Sequence, residues 1–173
     1  LWVEAKLLPE GALSLVVGAP GDLLHHLAGE DVLSFTGGGA TAAELRALGA
    51  VVRDSVRVNV EADSLNAAVL GPDVELGSDT FLGFVRDVTR DMTQKTGQKC
   101  TAIRRVVVPH EHLTDVSEAL ADRLGDVVVG NPTADGVTMG PVSTAKQLRD
   151  VRAGIERLRA ESRVLVGADA PAP

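Results

Sequence analysis

The order in which short apolar runs alternate with helical stretches, glycine between them, constrains this chain more than any other feature. "ALSLVV" (12–17) is β-rich and opens onto the breaker "GAPGD"; "DLLHHLA" (22–28) reads as helix and "DVLSF" (31–35) as a buried strand. "GGG" (37–39) follows at once, then a helix over 40–49 with Gly49 as its stop. "VRVNVEA" (56–62) alternates as a strand does, and "NAAVLG" (66–71) is a further short strand-like run. Phe81, Phe84, Val85, Val88 and Met92 recur at three and four residues, which predicts a helix over 78–96 with one apolar stripe, ended by Thr96 and Gly97. "AIRRVVV" (102–108) is a strand stopped by Pro109, and 114–124 a helix with Thr114 as N-cap. "GNPTADGVTMGP" (130–141) is a loop, Ser143 caps a charged helix over 144–161, and "RVLVG" (163–167) is a last strand. Strand, glycine turn and helix in repeated succession specify an α/β fold built on a parallel sheet.

Composition narrows the function. Hydrophobic residues make up 45%, enough for a core, yet no apolar run approaches the ~20 residues that cross a bilayer, so no membrane role is expected. A net charge of −7, no basic block and 2% aromatic residues argue against nucleic acid. One cysteine permits no intramolecular disulfide and no cysteine-rich metal site, and together with the lack of a secretory pattern it leads to the expectation of a cytoplasmic protein. No metal is expected: His25 and His26 fall on a short surface helix, while His110 and His112 flank Glu111 without a third fixed ligand. Leu1 at the start and "GADAPAP" at the end lead to the expectation of a piece of a longer protein.

The lone thiol, Cys100, lies in "TGQKCTAIRR" (96–105), between a helix end and a strand. A core site is the usual place for a free cysteine. Gly97 instead allows close backbone approach and Gln98 brings an amide. Only a thiolate is a strong nucleophile, and a free thiol ionises near pH ~8.5. Lys95 and Lys99, two of only four lysines, favour the thiolate, while the negative end of the preceding helix opposes it. Arg104 or Arg105 is placed to brace the cysteine loop or to lie on a solvated edge. Glu61 and Asp63 in "RVNVEADSLN" (57–66) are carboxylates near a strand end, able to act as a base or to fix a turn. "SFTGGGATAAELR" (34–46) follows a strand and opens a helix, where backbone N–H groups can meet phosphate, although the GxGxxG fingerprint is absent.

"TGQKCTAIRRVVV", "MGPVST" (139–144) and "LPEGALSLVVG" leading through "LSFTGG" (33–38) resemble the aldehyde dehydrogenase superfamily, in order and over nearly the whole chain. "EADSLN" (61–66) and "GQKCTAIRR" (97–105) resemble most closely its phenylacetyl-CoA-degrading branch, the dehydrogenase part of bifunctional ring-opening proteins. The resemblance implies a partial aldehyde dehydrogenase-like fold: residues 1–61 as the end of an NAD(P)-binding domain, and 62–173 as the first part of a catalytic domain. It implies Cys100 as nucleophile, with its own N–H helping to hold an oxyanion. The family's Glu-Leu-Gly-Gly is not kept here. An ungapped alignment of "SLN" places Asn59 at the glutamate; a two-residue deletion places Glu61 there, preferred as base because a carboxylate can take a proton from water, with Asp63 second. Phe35, Thr36, Gly37 and Gly38 are the implied cofactor neighbours, Gly38 standing where the family has serine. NAD or NADP as cofactor, an aldehyde as substrate (a CoA-linked semialdehyde from ring cleavage in this branch) and a homo-oligomeric full-length protein follow from the same resemblance. Two other readings stand beside it: a catalytically incomplete piece of such an enzyme, and an acylating dehydrogenase that passes its thioester to CoA.

Overall fold

The computed structural model describes residues 4–167. The chain forms two compact units that divide between Asp63 and Ser64.

In the first unit, β1 (Val32–Gly37) pairs in parallel with β2 (Arg57–Ala62), from Val32 opposite Arg57 to Gly37 opposite Ala62. Parallel strands need a crossover, supplied by α1 (Gly39–Arg46) and α2 (Gly49–Asp54). Ala42 and Leu45 of α1, Ala50 of α2 and Val56 are buried and make this unit's core. Gly49 therefore does not stop a single helix. Leu48 takes an extended conformation (φ −56°, ψ 137°) that breaks the helix, and Gly49 opens the next one. Residues 22–28 are helical only as a short 3-10 turn, Leu23–His26.

The second unit repeats the plan. β3 (Asn66–Val69) and β4 (Ile103–Val107) pair in parallel, joined through α3 (Asp79–Thr93). Ser78 caps α3, its hydroxyl accepting from Phe81 N–H at 3.2 Å. The predicted stripe faces inward: Phe81 and Val85 join Leu70 and Val116 in the core, with Phe84, Val106 and Leu120 packed around them. α4 (Leu113–Gly125) closes over α3, and α5 (Ala145–Arg159) lies outside this core with no buried residue. The 130–141 loop is tied by a parallel bridge between Val129 and Met139.

Two predicted strands do not form. Residues 12–17 and 163–167 carry β-prone side chains but have no partner strand among the described residues, and Leu15 and Val17 stay 87% and 89% exposed. β-propensity reflects packing on a pleated surface, so without a neighbour it has nothing to act on. Two predicted caps also move. His112 precedes α4 with no side-chain cap, leaving Thr114 inside the helix. Thr144, not Ser143, caps α5 by accepting from Gln147 N–H at 3.1 Å. Among the described residues no helix is long and apolar enough to cross a membrane.

Phe81 sits at the contact of α3 with the core and is 7% exposed. Phe81→Ala is expected to cost about 3–5 kcal/mol, read as a lowered urea midpoint at unchanged slope.

Candidate active site

Cys100 is exposed, not sealed in the core, on a turn between α3 and β4. α3 stops at Thr93, and Lys95, Thr96 and Gly97 then run consecutively through the left-handed region (φ 50°, 58° and 68°). Glycine suits the third position, because a Cβ there would lie 3.1 Å from Met92 O. Side chains hold the first two. Thr96 Oγ1 donates to Gly140 O at 2.9 Å, and Gln98 Nε2 donates to Lys95 O at 3.1 Å. Gln98 Oε1 in turn accepts from both the N–H (3.0 Å) and the hydroxyl (2.9 Å) of Ser143. The glutamine thus docks the loop after Gly140 onto the cysteine turn.

The residues flanking the thiol are held as firmly. Asp91 on α3 accepts from the Lys99 ammonium with one oxygen and from Ile103 N–H (2.8 Å) with the other, so one carboxylate grips both sides of Cys100. Lys99 also donates to Gln94 Oε1 at 2.9 Å. The two charged side chains are only 18% and 26% exposed. The bond from Lys99, followed by that from Ile103 N–H, holds the Asp91 carboxyl below its ordinary value of 3.8. Lys99, expected to favour the thiolate, has its charge largely offset by this partner. Arg104 braces the loop, donating to Gly97 O at 2.8 Å. Asn66 Nδ2 donates to Cys100 O at 2.8 Å and to Ala102 O at 3.3 Å, and Ala102 is fully buried. Among the described residues, the Cys100 N–H donates to no protein group. An exposed sulfur on a held turn, with its own N–H unused, can attack an electrophile and stabilise the oxygen that becomes charged.

The other predicted residues gather at the carboxyl ends of β1 and β2 in the first unit, the end where open α/β sheets place ligands. Thr36 and Glu61 are register partners on the exposed face of the strand pair, as are Ser34 and Asn59. The Phe35 ring folds over Gly37, where a Cβ would lie 2.4 Å from its Cζ. Gly38 is open, with nothing within 4 Å of a Cβ. Asp63 has a different task. It is left-handed (φ 58°), its N–H donates to Gly37 O at 3.1 Å, and its carboxylate accepts from Gly39 N–H at 3.1 Å. It ties the end of β2 to the start of α1, whereas Glu61 remains exposed. The structure therefore brings Phe35, Thr36, Gly37, Gly38 and Glu61 together in one unit and places Cys100 in the other.

His25 and His26 lie on the 3-10 turn Leu23–His26, and His110–His112 form another. Among the described residues no three metal-ligating side chains cluster. Sequence reasoning missed Asn66, Asp91 and Ser143 as holders of the cysteine turn. Asn66 lay in a recognised motif, but its partners stand 34 and 36 residues away.

Comparison with known proteins places these features in a family. The model of the aldehyde dehydrogenase family matches residues 1–172. The chain is 46% identical over 167 residues to a 3,4-dehydroadipyl-CoA semialdehyde dehydrogenase of Aromatoleum evansii, covering 96% of this chain and 32% of that one. It thus spans about a third of the length of that relative. Betaine aldehyde dehydrogenase from Staphylococcus aureus, solved with NAD+, superposes with a TM-score of 0.83 at 24% identity, over 98% of this chain and 33% of that one. Aldehyde dehydrogenase C from Pseudomonas syringae, solved as a mutant with NAD+ and octanal, gives 0.77 at 24% identity, over 91% of this chain and 32% of that one. Both solved structures share the fold, an aldehyde dehydrogenase fold resting on parallel strands as the sequence predicted.

Asp91 supplies a pH test of the cysteine turn. Its carboxyl is held below the ordinary value, so its contribution is present at neutral pH and is lost as pH falls through the folded-state value. Asp91→Asn is expected to lower the urea midpoint at pH ~7, and the gap from wild type should narrow as pH falls below the ordinary carboxylate value and through the depressed folded-state value.

Proposed function

The chain belongs to the aldehyde dehydrogenase family, and from that membership we propose that the protein oxidises an aldehyde to its acid, with Cys100 as nucleophile, Glu61 as base and NAD or NADP as cofactor. The observation that carries this is the exposed thiol on a turn held from both sides, with its own N–H unused.

The residues present fit a dinucleotide. Gly38 leaves open space at the end of β1, beside Thr36 and the start of α1. The first N–H groups of a helix lack partners within it, and Asp63 takes only that of Gly39. Phe35, Thr36, Gly37 and Gly38 would hold the cofactor, the first unit then being the end of its binding domain and the second the start of the catalytic domain. When bound, the dinucleotide supplies the hydride acceptor that converts a thiohemiacetal into a thioester.

The chain's own residues do the rest. The Cys100 sulfur adds to the aldehyde carbon, and the carbonyl electron pair moves to oxygen, where the Cys100 N–H meets it. Glu61 takes a proton from water, and the resulting hydroxide attacks the thioester, releasing the acid and the thiolate. The kinship with a CoA-semialdehyde dehydrogenase supports a CoA-linked semialdehyde from aromatic degradation as the substrate. A cytoplasmic homo-oligomer is the form in which we expect the complete protein to work.

Rapid mixing of the complete protein with aldehyde and dinucleotide should give a burst of reduced cofactor that Cys100→Ala abolishes. Glu61→Gln should keep the burst and slow steady-state turnover by about 10²–10⁴-fold, the scale of general-base catalysis. Turnover that survives Glu61→Gln and requires CoA would replace hydrolysis with acyl transfer to CoA.

A further inference from the structure

The register of β3 and β4 slips at its start. Asn66 faces Ile103, Ala67 faces Arg105, and Arg104 is the residue left over. A bulge of this kind bends a strand and re-aims side chains, and such bulges gather beside active sites. Here both residues at the slip end on the cysteine turn. Asn66 Nδ2 donates to Cys100 O (2.8 Å) and Ala102 O (3.3 Å), and Arg104 donates to Gly97 O (2.8 Å). Both partners of Asn66 are carbonyls, so its nitrogen must face them, and only an amide NH2 at this length serves both.

We propose that Asn66 is a positioning residue for Cys100, acting through the cysteine's own carbonyl; the role rests on the aldehyde-oxidising reading above. With Cys100 O held from β3 and Ala102 packed at 0% exposure, the backbone on the C-terminal side of the sulfur is fixed. The thiol and the unused Cys100 N–H then keep one direction relative to each other. Both are needed on the same substrate carbonyl, the sulfur at carbon and the N–H at oxygen. Asn66 touches neither substrate nor cofactor in this account. The bulge is what lets a strand residue reach back past the start of its partner strand, and Arg104, the extra residue, steadies the opposite side of the turn.

The single cysteine makes the test clean. Cysteine labelled with ¹³C at the carbonyl gives this chain one enriched cysteine resonance, that of Cys100. Asn66→Ala should move that resonance upfield as its hydrogen bond is lost, whereas Val85→Ala, a core variant that lowers stability without touching Asn66, should leave it in place. In the complete protein, Asn66→Ala should slow the burst about 10²-fold, the scale of a ~1 Å misplacement. The dinucleotide Kd and aldehyde KM should stay within about twofold, the pattern of an interaction that matters at the chemical step. An unmoved resonance, or a burst as fast as wild type, overturns the proposal. If the wild-type protein gives no burst at all, the aldehyde-oxidising reading and the positioning role fall together, while a shifted resonance still establishes the hydrogen bond.

Discussion

A backbone that turns left-handed for three residues does not hold itself. Lys95 and Thr96 lack glycine's freedom, and each loses about 1 kcal/mol or more in that region. The turn exists because its surroundings over-determine it: Thr96 is bonded to Gly140, Lys95 O to Gln98, Gly97 O to Arg104, and Cys100 O to Asn66. These partners come from β3, β4, the turn itself and the loop after Met139, so the geometry at the sulfur depends on segments far apart in the chain being folded together. Strain of this kind persists where structure around it leaves no alternative, and it concentrates where chemistry is done.

The first unit shows how similar side chains acquire different work from their surroundings. Glu61 and Asp63 are two residues apart, yet Asp63 is turned by its left-handed backbone onto Gly39 N–H and Glu61 stays on the exposed strand face beside Thr36. A Cβ at position 39 would lie 2.4 Å from Asp63 Oδ2, so the third glycine of "GGG" serves the aspartate's approach. Gly37 makes room for the Phe35 ring, and Gly38 alone faces open space. The triple glycine, which looks like one phosphate cradle, is three positions with three separate reasons.

The paired strands and the helix joining β3 to β4 were legible because their signals are local: alternation in "VRVNVEA" and a 3–4 spacing from Phe81 to Met92, whereas between β1 and β2 one helix was expected and two form. The unformed strands at 12–17 and 163–167 had the same local signal and lacked a neighbour, which a window of residues cannot reveal. Caps at Thr114 and Ser143 failed by one or two positions, within the usual uncertainty of helix ends. Ser143 was drawn away because its hydroxyl bonds Gln98, 45 residues earlier in the chain. Cys100 and Glu61 stood out by residue type and motif. Asn66 and Asp91 did not, because an asparagine at a strand start and an aspartate on a helix mean nothing until their distant carbonyl and amide partners are in place.

Electrostatics at the cysteine are weaker than two flanking lysines suggest, and this shifts the weight onto geometry. Lys99 is neutralised by Asp91 at close range, so its field at the neighbouring sulfur is largely that of a dipole. A dipole falls off faster with distance than a charge does, and the α3 carboxyl end adds a negative pole of its own. What the fold supplies instead is direction. Asn66 and Asp91 grip the chain on each side of the thiol, and among the described residues the Cys100 N–H donates to no protein group. In the proposed reaction, pre-set donors and a pre-set nucleophile would require no reorganisation when a carbonyl arrives, and effects of that kind exceed what one partly screened lysine contributes. Asp91 thus trades an exposed positive charge for a fixed loop, an exchange that suits the proposed reaction, in which the reacting atoms must meet at one distance and one angle.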